Sequence, residues 1–178
     1  MITKEELLAK IKDLAPQISS QPLTLAHPQP ENNARPSCCF ENVWHKVQKD
    51  GGDILFGWMF GYRINPKYGE YLMATHHAVW LAPDNHLLDV TPFTADPKHH
   101  PFTMSNYVIF LPDPLAEPVV GREVATPLPT KFFALSDNQE LREYVKEIAD
   151  KEQKECQEIL EGGKVDPNKI SGHFLKPL

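Results

Sequence analysis

Residues 76–92 read HHAVWLAPDNHLLDVTP, and this stretch decides how the fold is interpreted. Two runs of apolar and β-branched residues, 71–81 and 87–91, lie on either side of Pro83-Asp84-Asn85. Proline, aspartate and asparagine are residue types that favour a turn. The pattern therefore predicts two antiparallel strands joined as a hairpin.

The length of the turn decides which histidine faces Asp89. Side chains alternate along a strand, so a shift of one residue exchanges the two faces. With a three-residue loop, His77 falls opposite Thr91 and diagonal to Asp89 on the same face. His76 then points to the other face, whereas a two-residue turn at Asp84-Asn85 would reverse this parity.

A thiol precedes this hairpin in the stretch CCFENVW, residues 38–44. Residues 39–49 predict a short helix, and the backbone N–H groups at its start would favour an anion on Cys39. A thiol needs a neighbouring base, and the base needs an acceptor that fixes its tautomer. Cys39, His77 and Asp89 supply these three parts, with Cys38 as the competing nucleophile.

This order of a thiol, a histidine strand and an aspartate strand resembles the transglutaminase-like and arylamine N-acetyltransferase-like branch of the papain-like cysteine enzymes, over residues 35–92. Arg35, Cys39 and Glu41 have the acetyltransferase spacing, whereas Pro36-Ser37 stand where that family has glycines. Residues 51–92 are also similar to small bacterial proteins of this superfamily. The resemblance implies an α+β fold in which the nucleophile helix packs on an antiparallel sheet.

The same resemblance implies cysteine-dependent acyl transfer through a Cys-His-Asp triad. We expect hydrolysis of a peptide or protein amide bond, by a peptidase, amidase or glutamine deamidase, because no site for a second substrate is visible. Transfer to an amine, as in a transglutaminase or acetyltransferase, remains open, as does an inactive triad fold that binds a peptide or protein. We expect no cofactor, because the chain is much shorter than the acetyltransferases and has no obvious acyl-coenzyme-binding domain.

An oxyanion hole needs two donors beside the attacked carbonyl. The backbone N–H of Cys39 is one candidate. Asn33 lies six residues before Cys39, as the glutamine donor does in papain-like proteases, and Asn42 lies on the predicted helix. Both asparagines are candidate oxyanion or substrate-binding residues.

The chain has eight histidines, which raises the alternative of a metal-binding protein. The two adjacent pairs are His76-His77 and His99-His100. Adjacent histidines on a strand face opposite ways, so each pair offers one ligand rather than two. The sequence has no CxxC or HxxxH spacing, and we expect no metal.

Composition limits the other classes of function. A net charge of -6 argues against nucleic acid as a partner, and no apolar run approaches the roughly 20 residues of a membrane span. The acidic N-terminus has no features of a signal peptide. Three cysteines, two of them adjacent, are a poor disulfide framework. We therefore expect free thiols and a cytoplasmic protein, with delivery elsewhere as an effector left open; oligomeric state is not indicated.

The 178 residues predict one domain, residues 1–178, with its core at about 33–111. Thr3 and Glu6 predict a capping box for a first helix that ends at Pro16. Residues 16–37 are interpreted as irregular chain, and further strands are expected at 54–64 and 107–111. A proline-rich arm, 112–130, and a long, acidic C-terminal helix, about 137–161, complete the prediction.

Overall fold

The computed structural model describes residues 2–96, 99–120 and 125–161, and within them the fold is α+β. Its α-helices are α1 (Lys4–Leu14), α2 (Cys39–Asp50) and α3 (Gln139–Leu160). The capping box at the start of α1 is present as predicted, with the Thr3 hydroxyl accepting from the backbone of Glu6. Residues 162–178, at the end of the predicted domain, lie outside the described part.

Five strands close a mixed β-barrel in the order β1-β4-β3-β2-β6, with β6 pairing back onto β1. The long hairpin of β2 and β3 is its largest part. Gly57 is required in β2, because a Cβ there would lie 2.2 Å from the carbonyl oxygen of Leu111 on β6. The strands are β1 (Thr24–Pro28), β2 (Asp53–Asn65), β3 (Gly69–Leu81), β4 (Leu87–Asp89), β5 (Thr103–Met104), β6 (Tyr107–Pro112), β7 (Val119–Val120), β8 (Ala125–Thr126) and β9 (Lys131–Ala134).

The expectation of an antiparallel sheet and of irregular chain over residues 16–37 is wrong at β1. This strand runs parallel to β4, with Pro28 beside Asp89, and antiparallel to β6. Its sequence, TLAHP, carries one buried side chain, Ala26, so it lacks the alternating apolar pattern that marks a strand. The strand is stabilised by its backbone pairing with β4 and β6, which closes the barrel.

Helices cover part of the outer face of the barrel, and apolar side chains occupy part of its interior. Helix α1 packs through Leu7 and Ile11 against a cluster that includes Trp58 and Phe60. Helix α2 packs through its buried residues on Ala78, Trp80, Ala82 and Val90. A separate cluster of inner-face residues comprises Ala26, Val79, Val108 and Phe110.

The predicted proline-rich arm follows β6 and is anchored at its start by Asp113. This buried carboxylate accepts from the Trp58 indole at 2.8 Å and from the backbone of Leu115 at 3.1 Å. The arm contains the short β7–β8 hairpin, and residues 121–124 lie outside the described part. It leads to β9, a strand that the sequence did not predict and that pairs with β3.

The long C-terminal helix is present as α3, with Asn138 as its N-cap. The Asn138 side chain accepts from the backbone of Glu140 and Leu141, which satisfies two donors of the first turn. Helix α3 packs on β9. Among the residues that the structure describes, no helix has the length and apolar character needed to cross a membrane.

Candidate active site

The hairpin has the register that brings His77, and not His76, to Asp89. Trp80 pairs with Leu88, and the backbone of Ala82 donates to the carbonyl of His86 at 2.9 Å. The loop therefore contains three residues, and its last, Asn85, has a φ of +67°. Asparagine tolerates this left-handed conformation better than most residues do.

His77 and Asp89 form a buried pair. The Nε2–H of His77 donates to Oδ2 of Asp89 at 3.0 Å, and the two side chains are 2% and 1% exposed. The other carboxylate oxygen, Oδ1, accepts from the backbone of Thr91 at 3.0 Å. Because both carboxylate oxygens are held, Asp89 fixes the orientation of the imidazole.

Cys39 is the first residue of α2, and its side chain is fully buried. It is close enough to the imidazole of His77 for its thiolate to contribute to the raised pKa of that ring. Since Asp89 occupies Nε2, Nδ1 is the ring nitrogen that remains for the thiol. The three predicted residues thus form one continuous chain of side chains, although they come from a helix and two strands.

The charges around His77 favour its protonated form. Burial by itself would lower the pKa of the imidazole, but the Asp89 carboxylate and the Cys39 thiolate outweigh it and raise the pKa to about 10. This stabilisation is mutual, because an imidazolium that is stabilised by a thiolate stabilises that thiolate in turn. The start of α2 adds the favourable end of a helix dipole.

Cys38 is in a different environment, although it is adjacent in the chain. It is the N-cap of α2, is partly buried, and has its carbonyl engaged by the backbone of Asn42 at 2.9 Å. Burial raises the pKa of its thiol, with only partial compensation by Arg35. Of the two adjacent thiols, Cys39 is therefore the one beside the base.

The two candidate asparagines occupy different positions. Asn42 is buried, and its amide nitrogen donates to the carbonyl of Arg35 at 2.8 Å and to the hydroxyl of Thr91 at 3.2 Å. Its oxygen accepts from the backbone of Arg35 at 3.0 Å. Asn42 therefore joins α2 to the loop that holds Asp89. Asn33 is exposed and lines a separate polar cleft of about 470 Å³ beside α2.

A cavity of about 300 Å³ begins at His77 and Asp89. Its wall near the pair includes Ser37, Thr75 and Thr91, and it continues along β2 and β3 to Arg63. Cys39, two residues after Ser37, is fully buried and is not among the residues that line the cavity. Ser37 has a φ of +60°, a conformation that costs free energy in a residue other than glycine.

Sequence reasoning did not identify Ser37 or Arg63 and gave Thr91 no role beyond its position opposite His77. A signal existed for Thr91, because an aspartate two residues earlier commonly accepts from the backbone of such a residue. No comparable signal exists for Ser37, since serine has no special preference for positive φ. Arg63 lies near the end of a predicted strand, where charged residues are common, so its sequence position does not indicate a functional role.

The histidine pairs do not assemble a metal site within the described residues, where no group of three or more His, Cys, Asp or Glu side chains is arranged to hold an ion. The imidazole of His100 bonds to the carbonyl of Thr94 at 2.9 Å. His99 is exposed, with its imidazole 3.8 Å from Asp96.

Comparison with protein-family models, with curated proteins and with solved structures finds no significant match to this chain. The interpretation of the site therefore depends on its own geometry.

Proposed function

We propose that this protein is a thiol enzyme of the papain-like, transglutaminase-like type that hydrolyses an amide bond through Cys39, His77 and Asp89. The observation that carries the proposal is the buried hydrogen bond between His77 and Asp89, with the Cys39 thiol close enough to the same imidazole to raise its pKa. Each residue alone has an ordinary structural explanation. A thiol at a helix start, an imidazole with a raised pKa and a fixed carboxylate are together what an activated nucleophile needs.

In the first half of the reaction, the Cys39 sulfur attacks the amide carbonyl, and an S–C bond forms. His77 gives its proton to the leaving nitrogen as the C–N bond breaks, which leaves a thioester on Cys39 and releases the amine. In the second half, His77 takes a proton from water, whose oxygen attacks the thioester. The acid is released, and the proton returns to the Cys39–His77 pair.

The first turn of α2 supplies a hydrogen-bond donor that stabilises the oxyanion. The backbone N–H of Cys39 lies at the start of this helix, where N–H groups point towards a developing negative charge. The Asn42 amide already serves Arg35 and Thr91, so its role in the proposal is to hold α2 against the Asp89 loop. Asn33 has no part in this mechanism.

The burial of Cys39 sets a condition on the reaction. A substrate carbonyl must reach the sulfur from the cavity, so the wall at Ser37 must yield during binding. Reagents of increasing size should therefore alkylate Cys39 at sharply decreasing rates, whereas the partly exposed Cys38 should show a weaker dependence on size.

The test is the pH dependence of iodoacetamide alkylation, located by mass spectrometry. Cys39 should react with a midpoint well below the ordinary thiol value of ~8.5, and His77→Ala and Asp89→Ala should remove that advantage. Cys38 and Cys156 are internal controls, since burial raises the pKa of both thiols, that of Cys156 to about 11. A Cys39 that is no more reactive than Cys156 would overturn the proposal and favour a binding protein.

A substrate comparison then separates water from an amine as the acceptor. The same thioester serves both reactions, so the amide substrates are offered with and without a primary amine. Release of free acid at an unchanged rate supports hydrolysis. Incorporation of the amine at the expense of the acid would make the protein a transferase.

A further inference from the structure

The cavity that begins at His77 ends at a cation. Arg63 lines its far end, and the Nη1 atom of Arg63 lies 3.3 Å from the position that a Cβ on Gly61 would occupy. The guanidinium thus lies on the inner face of the β2–β3 hairpin, at the level of Gly61. Since Gly61 pairs with Met73 and Gly57 pairs with His77, the two ends are separated by four residues. That spacing corresponds to about 13 Å along the strands.

The hydrogen bonds that the structure gives to Arg63 are accepted by neutral carbonyl groups, and Asp96 acts on it electrostatically. Its Nη1 donates to the carbonyls of Tyr62 at 2.8 Å and of His100 at 3.3 Å. Among the described residues, none of the salt bridges found involves Arg63. Burial lowers the pKa of its guanidinium, and Tyr71 and Asp96 offset this only in part. A partly buried cation whose hydrogen bonds, among the described residues, go to carbonyl groups is suited to receive an anion.

The middle of the cavity is apolar. Met59 and Met73 line it on the two strands, and Phe93 and Pro101 line it from the loops. The other carboxylates in the wall are already engaged. Asp89 accepts from His77 and Thr91, and Glu152 accepts from the backbone of Thr130 at 2.8 Å.

Glu152 is bound to the backbone of Thr130, and Thr130 immediately precedes Lys131, which pairs with Ala74 on β3. The Glu152 carboxylate therefore lies near the level of Thr75, towards the His77 end of the cavity. Its negative charge disfavours an anion there, whereas the positive charge of Arg63 favours one at the other end.

We propose that this cavity binds the acyl part of the substrate, an apolar chain that ends in a carboxylate, and that Arg63 binds this carboxylate. The inference rests on the proposed function, because it assigns the other end of the chain to the carbonyl beside Cys39. It makes Arg63 a determinant of specificity and not a participant in bond breaking. The substrate class is then an ω-carboxyacyl amide of a length that spans about 13 Å.

The first experiment measures binding without chemistry, by calorimetry on the Cys39→Ala variant. Octanoate and octanamide are the probes, because they share an apolar chain and differ in charge. Octanoate should bind about tenfold more tightly, as expected for a charge-assisted hydrogen bond. Arg63→Met should abolish the preference, and Arg63→Lys should retain part of it.

Two controls identify the cation that is responsible. Arg142 is an exposed arginine on α3, paired with Asp137 and remote from the cavity lining, so Arg142→Met should leave the preference unchanged. His77→Gln in the same Cys39→Ala background should also leave it unchanged. Loss of the preference in the His77 variant but not in Arg63→Met would place the carboxylate at the wrong end and overturn the inference.

The second experiment uses catalysis and compares suberoyl and octanoyl anilides, which differ in a terminal carboxylate. Arg63→Met should raise KM for the suberoyl compound about tenfold with little change in kcat, and should not affect the octanoyl compound. Thermal unfolding of each variant identifies those that fail to fold, and Arg63→Lys then serves in place of Arg63→Met.

The two proposals can fail separately. Equal binding of octanoate and octanamide overturns the carboxylate site, while the alkylation profile of Cys39 still supports the enzyme. An inert Cys39 together with a carboxylate preference that depends on Arg63 overturns the enzyme and supports the site as a ligand pocket.

Discussion

His76 and His77 are adjacent residues of β3 that lie in opposite environments. On the outer face, His76 accepts from the backbone of Leu128 through Nδ1 at 2.8 Å and donates to the carbonyl of Ala116 through Nε2 at 2.5 Å. Its ring packs among Phe40 and Trp58. On the inner face, His77 meets a carboxylate and a thiol.

The difference shows how one strand gives the same residue type two roles. The partners of His76 are neutral backbone groups, which fix one tautomer and attach both ends of the proline-rich arm to the barrel. The partners of His77 are ionisable groups, which stabilise the protonated ring. Helix α2 touches both faces in turn, since Phe40 packs on His76 and the preceding Cys39 reaches His77.

The largest expected effect comes from the same substitution made at the two positions. His77→Gln keeps a donor for Asp89 but cannot move a proton, so amide hydrolysis should fall by about 10³-fold. His76→Gln should leave the kcat of the folded protein within a few-fold of wild type. It should instead lower the free energy of unfolding by about 1–3 kcal/mol, because one of its two buried hydrogen bonds is lost.

Hydrolysis rates and urea unfolding of both variants check this contrast. A loss of kcat in His76→Gln equal to that in His77→Gln, with the fold intact, would contradict the assignment of separate roles. Cys38→Ala beside Cys39→Ala is the matching control on α2, where only the second change should abolish activity.

The second prediction concerns pH and uses the Cys39→Ala background, so that only the pair of His77 and Asp89 is compared. In the wild-type protein Asp89 and the Cys39 thiolate together raise the pKa of His77 on folding, against the effect of burial. With Asp89 as the remaining charge, we expect the pair to stabilise the fold fully below the ordinary histidine value of ~6.5, and to lose this contribution as pH rises through a folded pKa that is lower than in the wild-type protein. The slope is at most about 1.36 kcal/mol per pH unit.

The measurement is the difference in unfolding free energy between Cys39→Ala and Cys39→Ala/His77→Gln across this pH range. The difference should shrink steadily above pH ~6.5. A constant difference would mean that His77 binds its proton equally in the folded and unfolded states. His76→Gln in the same background should show a flat profile as the control.

The sequence allowed the hairpin to be predicted because its signals are local. The apolar runs, the Pro83-Asp84-Asn85 turn and the alternation of side chains suffice to separate His77 from His76. The start of α2 at Cys39 was also predicted from the sequence. These local elements also bring Asp89 to its partner, because only the five residues 82–86, with a three-residue loop at their centre, lie between the two strands.

What could not be predicted depends on contacts that are distant in the chain. Strand β1 is stabilised by backbone pairing with β4 and β6, and its own side chains carry little signal. The role of Asn42 as a connection to Thr91 joins residues 49 positions apart. The position of Arg63 at the far end of the cavity depends on the pairing of the two long strands, so the residues around Arg63 in the sequence do not predict it.

The third prediction separates the two asparagines that the sequence suggested. Asn42→Ala removes three hydrogen bonds around Arg35 and Thr91, so the free energy of unfolding should fall by about 1–3 kcal/mol. Because Thr91 holds Asp89, kcat should also fall, whereas KM should change little. Asn33→Ala is the matched control and should change neither quantity. A loss of kcat in Asn33→Ala with unchanged stability would restore Asn33 as an oxyanion donor.

The smallest expected effect concerns the turn that sets the two faces of β3. Asn85 has a φ of +67°, so Asn85→Ala should cost about 1 kcal/mol of unfolding free energy, whereas Asn85→Gly should be close to neutral. Neither change alters the number of loop residues. The register and the pairing of His77 with Asp89 should therefore survive, and the pH midpoint of Cys39 alkylation should stay at the wild-type value. A shifted midpoint in Asn85→Ala would mean that the turn residue, and not loop length alone, determines which histidine meets Asp89.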